Sequence, residues 1–260
     1  MSKTIRNVAV LGHQGSGKTS LIESLSSIVS NRPKGSVERK NTISDYLPEE
    51  QSRLGSVRLS IVPIETEECI INLIDIPGND DFIGEAISAV TIVKGAILVI
   101  DASSGVEVET VKHWNFLRKK NIPTLVFVNK MDKENVVFEN ILTEIREKLG
   151  KNAIPFCYPM GHNDNFDGFV NVVTLKARKY NGQICEDAEI YDDKKLKVFE
   201  LNNMMVEAVA QTSEELLDKF FMGEPLTHEE IQVGLRSGVL AGELIPVLVG
   251  CATKNIGVHT

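Results

Sequence analysis

A chain of 260 residues that is 42% hydrophobic and 25% charged has the composition of a globular protein with a substantial core, which excludes disordered and collagen-like classes. A formal charge of −8 argues against a general basic surface for gripping DNA or RNA, and four scattered cysteines without a C-x-x-C pair suggest neither a zinc site nor a redox motif. No run approaches the roughly 18 apolar residues of a membrane span and the start MSKTIRNVAVLG lacks a secretory core, so a cytoplasmic chain without a membrane partner is expected.

The first half alternates short apolar runs with longer amphipathic ones, which predicts an α/β fold: a mostly parallel sheet with helices on both faces. Its first strand is read at Asn7 to Leu11, and GHQGSGKT, Gly12 to Thr19, then opens a helix read over Lys18 to Val29. A strand before and a helix after is the context that the G-x-x-x-x-G-K-[ST] phosphate loop requires. Gly15 and Gly17 let the backbone close around an anion, the amides from Gly15 to Thr19 point inward, and the helix start adds positive dipole. Lys18 is expected to neutralise the outer phosphates of a nucleotide and the Thr19 hydroxyl to bind magnesium. Gly12, His13, Gln14, Ser16 and Ser20 complete the predicted cradle.

Ser30 to Leu54 is polar and broken by Pro and Gly, and a loop of that length inside a domain is usually mobile or functional. Strands follow at Val57 to Ile64 and Cys69 to Ile74, separated only by Glu65 to Glu68, which predicts an antiparallel hairpin at one edge of the sheet. Ser56, immediately before that pair, is the chosen metal-binding hydroxyl from the long loop, ahead of Thr42 and Ser60. Asp75-Ile76-Pro77-Gly78 ends the run IINLID, so a carboxylate emerges at the carboxyl end of a strand, where such sheets hold their ligands. Asp75 is expected to reach magnesium through water, and the Gly78 amide to sense the γ-phosphate.

Further strands are read at Ala96 to Ile100 and Thr124 to Val128, with helices over Val106 to Lys120 and Phe138 to Leu149. Asn129-Lys130-Met131-Asp132 follows the second of these strands, and an aspartate there can accept two hydrogen bonds from guanine that adenine does not offer. Asp132 is therefore read as the base selector, Lys130 as a stem along the ring and Asn129 as a brace for the loop. Gly161 to Gly242 interrupts the pattern with a strand-like run at Gly168 to Arg178 and helical runs at Lys197 to Gln211 and Ser213 to Phe221. A last strand, Ile245 to Val249, leads into Gly250-Cys251-Ala252, expected to present amides to the guanine carbonyl. The implied organisation is a nucleotide-binding unit of residues 1–160 and 243–260 with an inserted α+β subdomain at 161–242.

This ordered set of motifs resembles elongation factor G, a translational GTPase, over essentially the whole chain. DIPGNDDF at Asp75 to Phe82 is similar to that family's DTPGHxDF, NKMD is identical to its base motif, and PVLVGCATKNIGV at Pro246 to Val258 resembles PVLCGSAxKNKGV. The 118 positions between Asp132 and Gly250 leave room for the family's extra subdomain, and GFVNVVTLKA and EELLDKFFMGEPLTHEEI look like parts of it. The resemblance implies a P-loop NTPase fold, GTP and GDP with Mg2+ as cofactors, and a ribosome partner reached through the full-length protein at large-subunit rRNA and proteins. It also implies coupling of hydrolysis to translocation or remodelling of the ribosome. The family's carboxyl-terminal domains have no counterpart here, so the chain reads as its first domain. Lys18, Gly78 and Asn79 are the implied catalytic residues. Asn79 stands where the family has a water-orienting histidine, and an amide can bond water without carrying imidazolium charge. Gly15 stands for an aspartate of GHIDAGKT, and Arg53-Leu54-Gly55-Ser56-Val57 for RGITI. These departures keep open a GTP-dependent switch that hydrolyses little, and a protection- or release-factor relative shares the same first domain.

Overall fold

The computed structural model of the chain describes residues 3–182 and 184–258. Residues 1–2 and 259–260 of the first expected unit and residue 183 of the second lie outside the described residues. Strand β1 (Thr4–Leu11) leads into helix α1 (Lys18–Ser30), and a short α2 (Pro48–Arg53) lies in the polar connection to the hairpin of β2 (Ser60–Glu65) and β3 (Cys69–Asp75). Next come α3 (Ile83–Val90), β4 (Gly95–Asp101), α4 (Val108–Lys119), β5 (Thr124–Asn129), α5 (Phe138–Lys148) and β6 (Ala153–Pro155). Strands β7 (Cys157–Met160), β8 (Gly168–Asn171), β9 (Lys176–Tyr180) and β10 (Cys185–Ala188) precede helices α6 (Asp192–Ala210), α7 (Glu214–Phe221) and α8 (His228–Ala241), and β11 (Ile245–Val249) closes the chain.

Seven strands form one sheet in the order β2-β3-β1-β4-β5-β11-β6, parallel except for the antiparallel edge strand β2. The other four form a second, antiparallel sheet in the order β10-β9-β8-β7. This is the mostly parallel α/β sheet expected from the alternation, with its antiparallel edge strand. Side chains of the central strands alternate between two buried faces. Ala9, Leu11, Leu98, Ile100, Val126 and Val128 pack toward α3, α4 and α5 through Ala89, Leu117 and Ile145. Val10, Leu73, Val99 and Phe127 pack toward Leu21 and Ile22 of α1. Each such large side chain withdrawn from water contributes about 2 kcal/mol, so the sheet is clamped from both sides and its edges are fixed. The first cluster runs on into the second sheet through Tyr158, Met160, Phe169 and Val170, while Ile154, Met205, Val209, Leu216 and Leu235 form a separate cluster beneath α6 to α8.

Register sets where the polar residues emerge. Val10 pairs with Asp75, Asp101 with Asn129 and Val249 with Val128, so the carboxyl ends of β1, β3, β4, β5 and β11 share one edge.

Several expectations need correction. Strand β2 starts at Ser60, not Val57, because Glu50 Oε1 accepts from Val57 N and Arg58 N and Glu85 Oε2 from Leu59 N, taking the amides a ladder would use. The run Gly168 to Arg178 is a hairpin: Asn171 Oδ1 accepts from Val173 N and Thr174 N, and Leu175 has φ +55°. Strand β7 joins the second sheet although it precedes position 161. Helices α2, α3 and α8 were not read from the sequence; α8 opens with a capping box in which Thr227 Oγ1 accepts from Glu230 N and Glu230 Oε2 from Thr227 N. No helix among the described residues is long and apolar enough to cross a membrane.

Candidate functional site

Along the shared edge lies a cavity of about 300 Å³, lined by Gln14, Gly15, Gly17 to Ser20, Asp45, Arg53, Gly55, Ser56, Gly78, Asn79 and Lys130, among others. The loop Gly12 to Gly17 joins β1 to α1, and Gly17, the N-cap of α1, has φ 94° and makes no side-chain cap bond. A Cβ on Gly17 would collide with the Asn129 amide, so both backbone conformation and packing demand glycine here. The first-turn amides of α1 are left to a ligand at the positive end of the helix. Lys18 Nζ folds back to donate to Gly12 O at 3.0 Å and His13 O at 2.8 Å, and burial lowers its pKa to about 8. His13 and Ser16 turn their side chains away from the cavity: His13 Nδ1 meets Thr110 Oγ1 at 3.1 Å, and Ser16 is fully buried. Of the predicted cradle, these two can offer backbone alone.

At one end of the cavity oxygens converge. Thr19 Oγ1 donates to Asp75 Oδ2 at 2.8 Å, Ser44 Oγ donates to the same oxygen at 2.7 Å, and Ser56 Oγ donates to Asp45 Oδ1 at 2.7 Å while lying 3.4 Å from Thr19 Oγ1. Asp75 is 0% exposed and Asp45 4%, yet Asp75 Oδ1 and Asp45 Oδ2 have no hydrogen-bond partner. Burial raises both carboxyls above their ordinary range, Asp45 to about 6. Two buried carboxylates with unmatched oxygens beside three hydroxyls form a hard-oxygen donor set that fits a small divalent cation. The loop thus brings Ser56 to this cluster, whereas Thr42 and Ser60, the other loop hydroxyls considered, do not line the cavity.

Gly78 touches the phosphate loop directly. A Cβ there would overlap Lys18 Nζ and stand 2.6 Å from Gln14 N. Asn79 lines the cavity but uses its side chain locally, its Oδ1 accepting from Asp81 N at 2.9 Å to cap the single turn Asp80–Phe82.

At the other end, Asn129 brackets two loops. Its Nδ2 donates to Ser16 O at 2.9 Å and its Oδ1 accepts from Ala252 N at 2.9 Å. Lys130 Nζ donates to Gly15 O and Asp101 Oδ2, both at 2.6 Å; burial works against the Asp101 charge, but this bond and those from Ser103 hold its pKa below the ordinary value. Asp132 pairs with Lys254 at 3.0 Å. Burial opposes its charge too, and bonds from Cys251 and Lys254 outweigh that. The expectation for Gly250 to Ala252 is corrected in this structure: Gly250 N donates to Val128 O, Cys251 N to Ile256 O and Ala252 N to Asn129 Oδ1, each at 2.9 Å. The strand ladder, a β-bridge and the Asn129 bracket consume all three amides, and Thr253 is the base-loop residue that lines the cavity.

Sequence reasoning missed the groups that hold the long loop down. Glu23, 0% exposed on α1, accepts from Arg32 Nη2 and Gly35 N, both at 3.0 Å, and from Ile43 N. Lys34 Nζ donates to the carbonyls of Ala252 and Thr253 and to Asn255 Oδ1. The signal for Glu23 was an acidic residue among the Leu, Ile and Ser of an otherwise uncharged helix face; for Ser44 and Asp45 it was only their membership of the polar stretch.

Residues 3–260 match the family described as elongation factor Tu GTP binding domain. An elongation factor G-like protein of Thermotoga maritima is 32% identical over 256 residues, which are 98% of this chain and 36% of that protein. A crystal structure of a Thermus thermophilus protein superposes with a TM-score of 0.92 at 32% identity, covering 98% of this chain and 38% of that one. The chain therefore spans little more than a third of the length of either relative.

Proposed function

Since the chain belongs to the elongation factor Tu GTP-binding domain family and is a translational GTPase domain, we propose that it binds GTP with magnesium and hydrolyses it. It does so in the cytoplasm as part of a ribosome-associated, elongation factor G-like protein, coupling hydrolysis to translocation or remodelling of the ribosome. The observation that carries this reading is that a buried lysine and a helix start line one cavity with Thr19, Asp45 and Ser56, behind which Asp75 bonds to Thr19.

The amides of Gly15 to Thr19 and the Lys18 ammonium take the β- and γ-phosphates, since the helix start and the ammonium are both positive and sit together on the cavity. Thr19, Ser56 and Asp75 hold magnesium, with Asp45 and Ser44 behind them; when bound, the ion neutralises charge developing on the phosphate oxygens. Gly78, pressed on the phosphate loop, offers its amide to the γ-phosphate, and Asn79 offers a side-chain donor. Asp132 exchanges Lys254 for the ring and exocyclic nitrogens of guanine, and Asn129 ties that base loop to the phosphate loop. A second reading, a GTP-dependent switch with little hydrolysis, draws support from the commitment of the Asn79 oxygen to Asp81.

The test is GTP turnover by the full-length protein with and without ribosomes. Strong stimulation is expected; tight binding without turnover supports the switch reading. Asp132→Asn is expected to erase the preference for GTP over ATP, and an unchanged preference refutes the base-pocket assignment.

A further inference from the structure

Building on the hydrolytic reading above, we infer that Gln14, not Asn79, is the residue that orients the attacking water. Water that attacks phosphorus must point a lone pair at it, and a side chain that accepts a hydrogen bond from the water holds it that way. The Asn79 carboxamide has one oxygen, and that oxygen accepts from Asp81 N at 2.9 Å. That bond takes one of the oxygen's two lone pairs and ties it to the Asp80–Phe82 turn, so the NH2 group is the end of Asn79 left without a partner among the described residues. A donor of that kind binds water by the lone pair that has to attack, so Asn79 suits a phosphoryl oxygen better than the nucleophile.

Gln14 has the missing acceptor. Its side chain is exposed and lines the same cavity as Gly78 and Asn79, and among the described residues no hydrogen bond engages its carboxamide. Two glycines mark its surroundings. The backbone N of Gln14 lies 2.6 Å from where a Cβ of Gly78 would be, which ties it to the segment carrying Asn79. Its Nε2 lies 4.0 Å from where a Cβ of Gly55 would be, and no other atom comes so near that point. The bare Gly55 therefore leaves open the space beside the Gln14 carboxamide, which a side chain reaching beyond Cβ there would enter. Of the other acceptors lining the cavity that are unengaged among the described residues, Asp45 Oδ2 belongs to the oxygen cluster assigned to the metal, and Glu38 follows the segment that Lys34 fastens to Thr253.

In the step itself, the water oxygen bonds to the γ-phosphorus while the bond from that phosphorus to the β–γ bridging oxygen breaks. The bridging oxygen leaves with the electron pair on GDP, and a water proton passes to a γ-phosphoryl oxygen to give inorganic phosphate. Gln14 Oε1 accepts a hydrogen bond from the water throughout and neither gains nor loses a proton.

The test is single-turnover GTP hydrolysis by the full-length protein on ribosomes, with fluorescent GTP affinity measured in parallel. Gln14→Met, which keeps the length and removes the acceptor, is expected to slow hydrolysis about 100-fold while affinity stays within about threefold. Asn79→Ala is expected to slow it by less. Gly55→Ile is expected to slow the parent but add nothing to Gln14→Met, since both act through one carboxamide. Hydrolysis by Gln14→Met within about threefold of the parent, or a larger loss in Asn79→Ala, overturns the assignment of Gln14 alone. Absence of turnover in the unsubstituted protein overturns the hydrolytic reading and this one with it.

Discussion

Replacing Asn129 with Ala tests whether one side chain holds the two nucleotide loops together. Asn129 is 2% exposed, and its amide joins Ser16 O to Ala252 N, both on residues that are 0% exposed. Truncation leaves a carbonyl and an N–H buried without partners, at about 1–3 kcal/mol each, and opens a small void. The expected loss is about 2–5 kcal/mol of unfolding free energy without nucleotide, read by urea denaturation. Because the bracket joins the phosphate loop to the base loop, GDP affinity is expected to fall as well, about tenfold for every 1.4 kcal/mol that the bound state must restore. Asn129→Asp keeps the acceptor for Ala252 N but sets a carboxylate against Ser16 O, so it is expected to rescue little. An Ala variant within about 0.5 kcal/mol of the parent, with unchanged GDP affinity, refutes the bracket.

Gly78→Ala is expected to cost about 1–3 kcal/mol by overpacking, since its Cβ would meet loop backbone as well as a flexible lysine, and to weaken GTP binding more than GDP binding. Gly84→Ala on α3, where nothing lies within 4 Å, is the control and is expected to stabilise by about 0.5–1 kcal/mol; thermal unfolding of the pair that shows equal effects refutes the close approach. His113 gives a pH dependence. Burial lowers its pKa to about 4 from an ordinary 6.5, so the unfolded chain takes up the proton first as pH falls. Its contribution is therefore complete above pH 6.5 and lost between 6.5 and 4, by about 2–3 kcal/mol at pH 4.5. His113→Leu is expected to flatten the loss of unfolding free energy between about pH 7 and 4.5 by that amount, and parallel pH profiles for parent and variant refute it.

Strands that carry unbroken Val and Ile runs were legible within a few residues, because burial on both faces leaves no other reading for them: Ile245–Val249 is observed as expected. Edges were less legible where side chains capture backbone. Nothing local in Val57 to Leu59 shows that Glu50 and Glu85 claim their amides. Helix α3, IGEAISAV, was lost because it is short and merges into the apolar run leading to β4. In the site, the phosphate loop could be read because one contiguous stretch makes it. The groups behind Asp75 could not, since Ser44 and Asp45 reach it only through the folding of a long polar loop. The engagement of Ala252 N by Asn129 joins residues 123 apart, a pairing that local pattern does not contain.

The connection from α1 to β2 is tied down in two places, a collar near α1 and an arc near β3. Glu23 and Lys34 pin its first part, up to Ile43, to α1 and to the Ala252–Thr253 loop, while Ser44 bonded to Asp75 and Leu59 bonded to Glu85 hold the rest. Closing a flexible chain costs only about 0.6 kcal/mol more for each doubling of its length, so the pinning changes the loop's ordering cost little. It decides position instead, setting the arc that carries Asp45 and Ser56 across the end of the cavity where Thr19 lies.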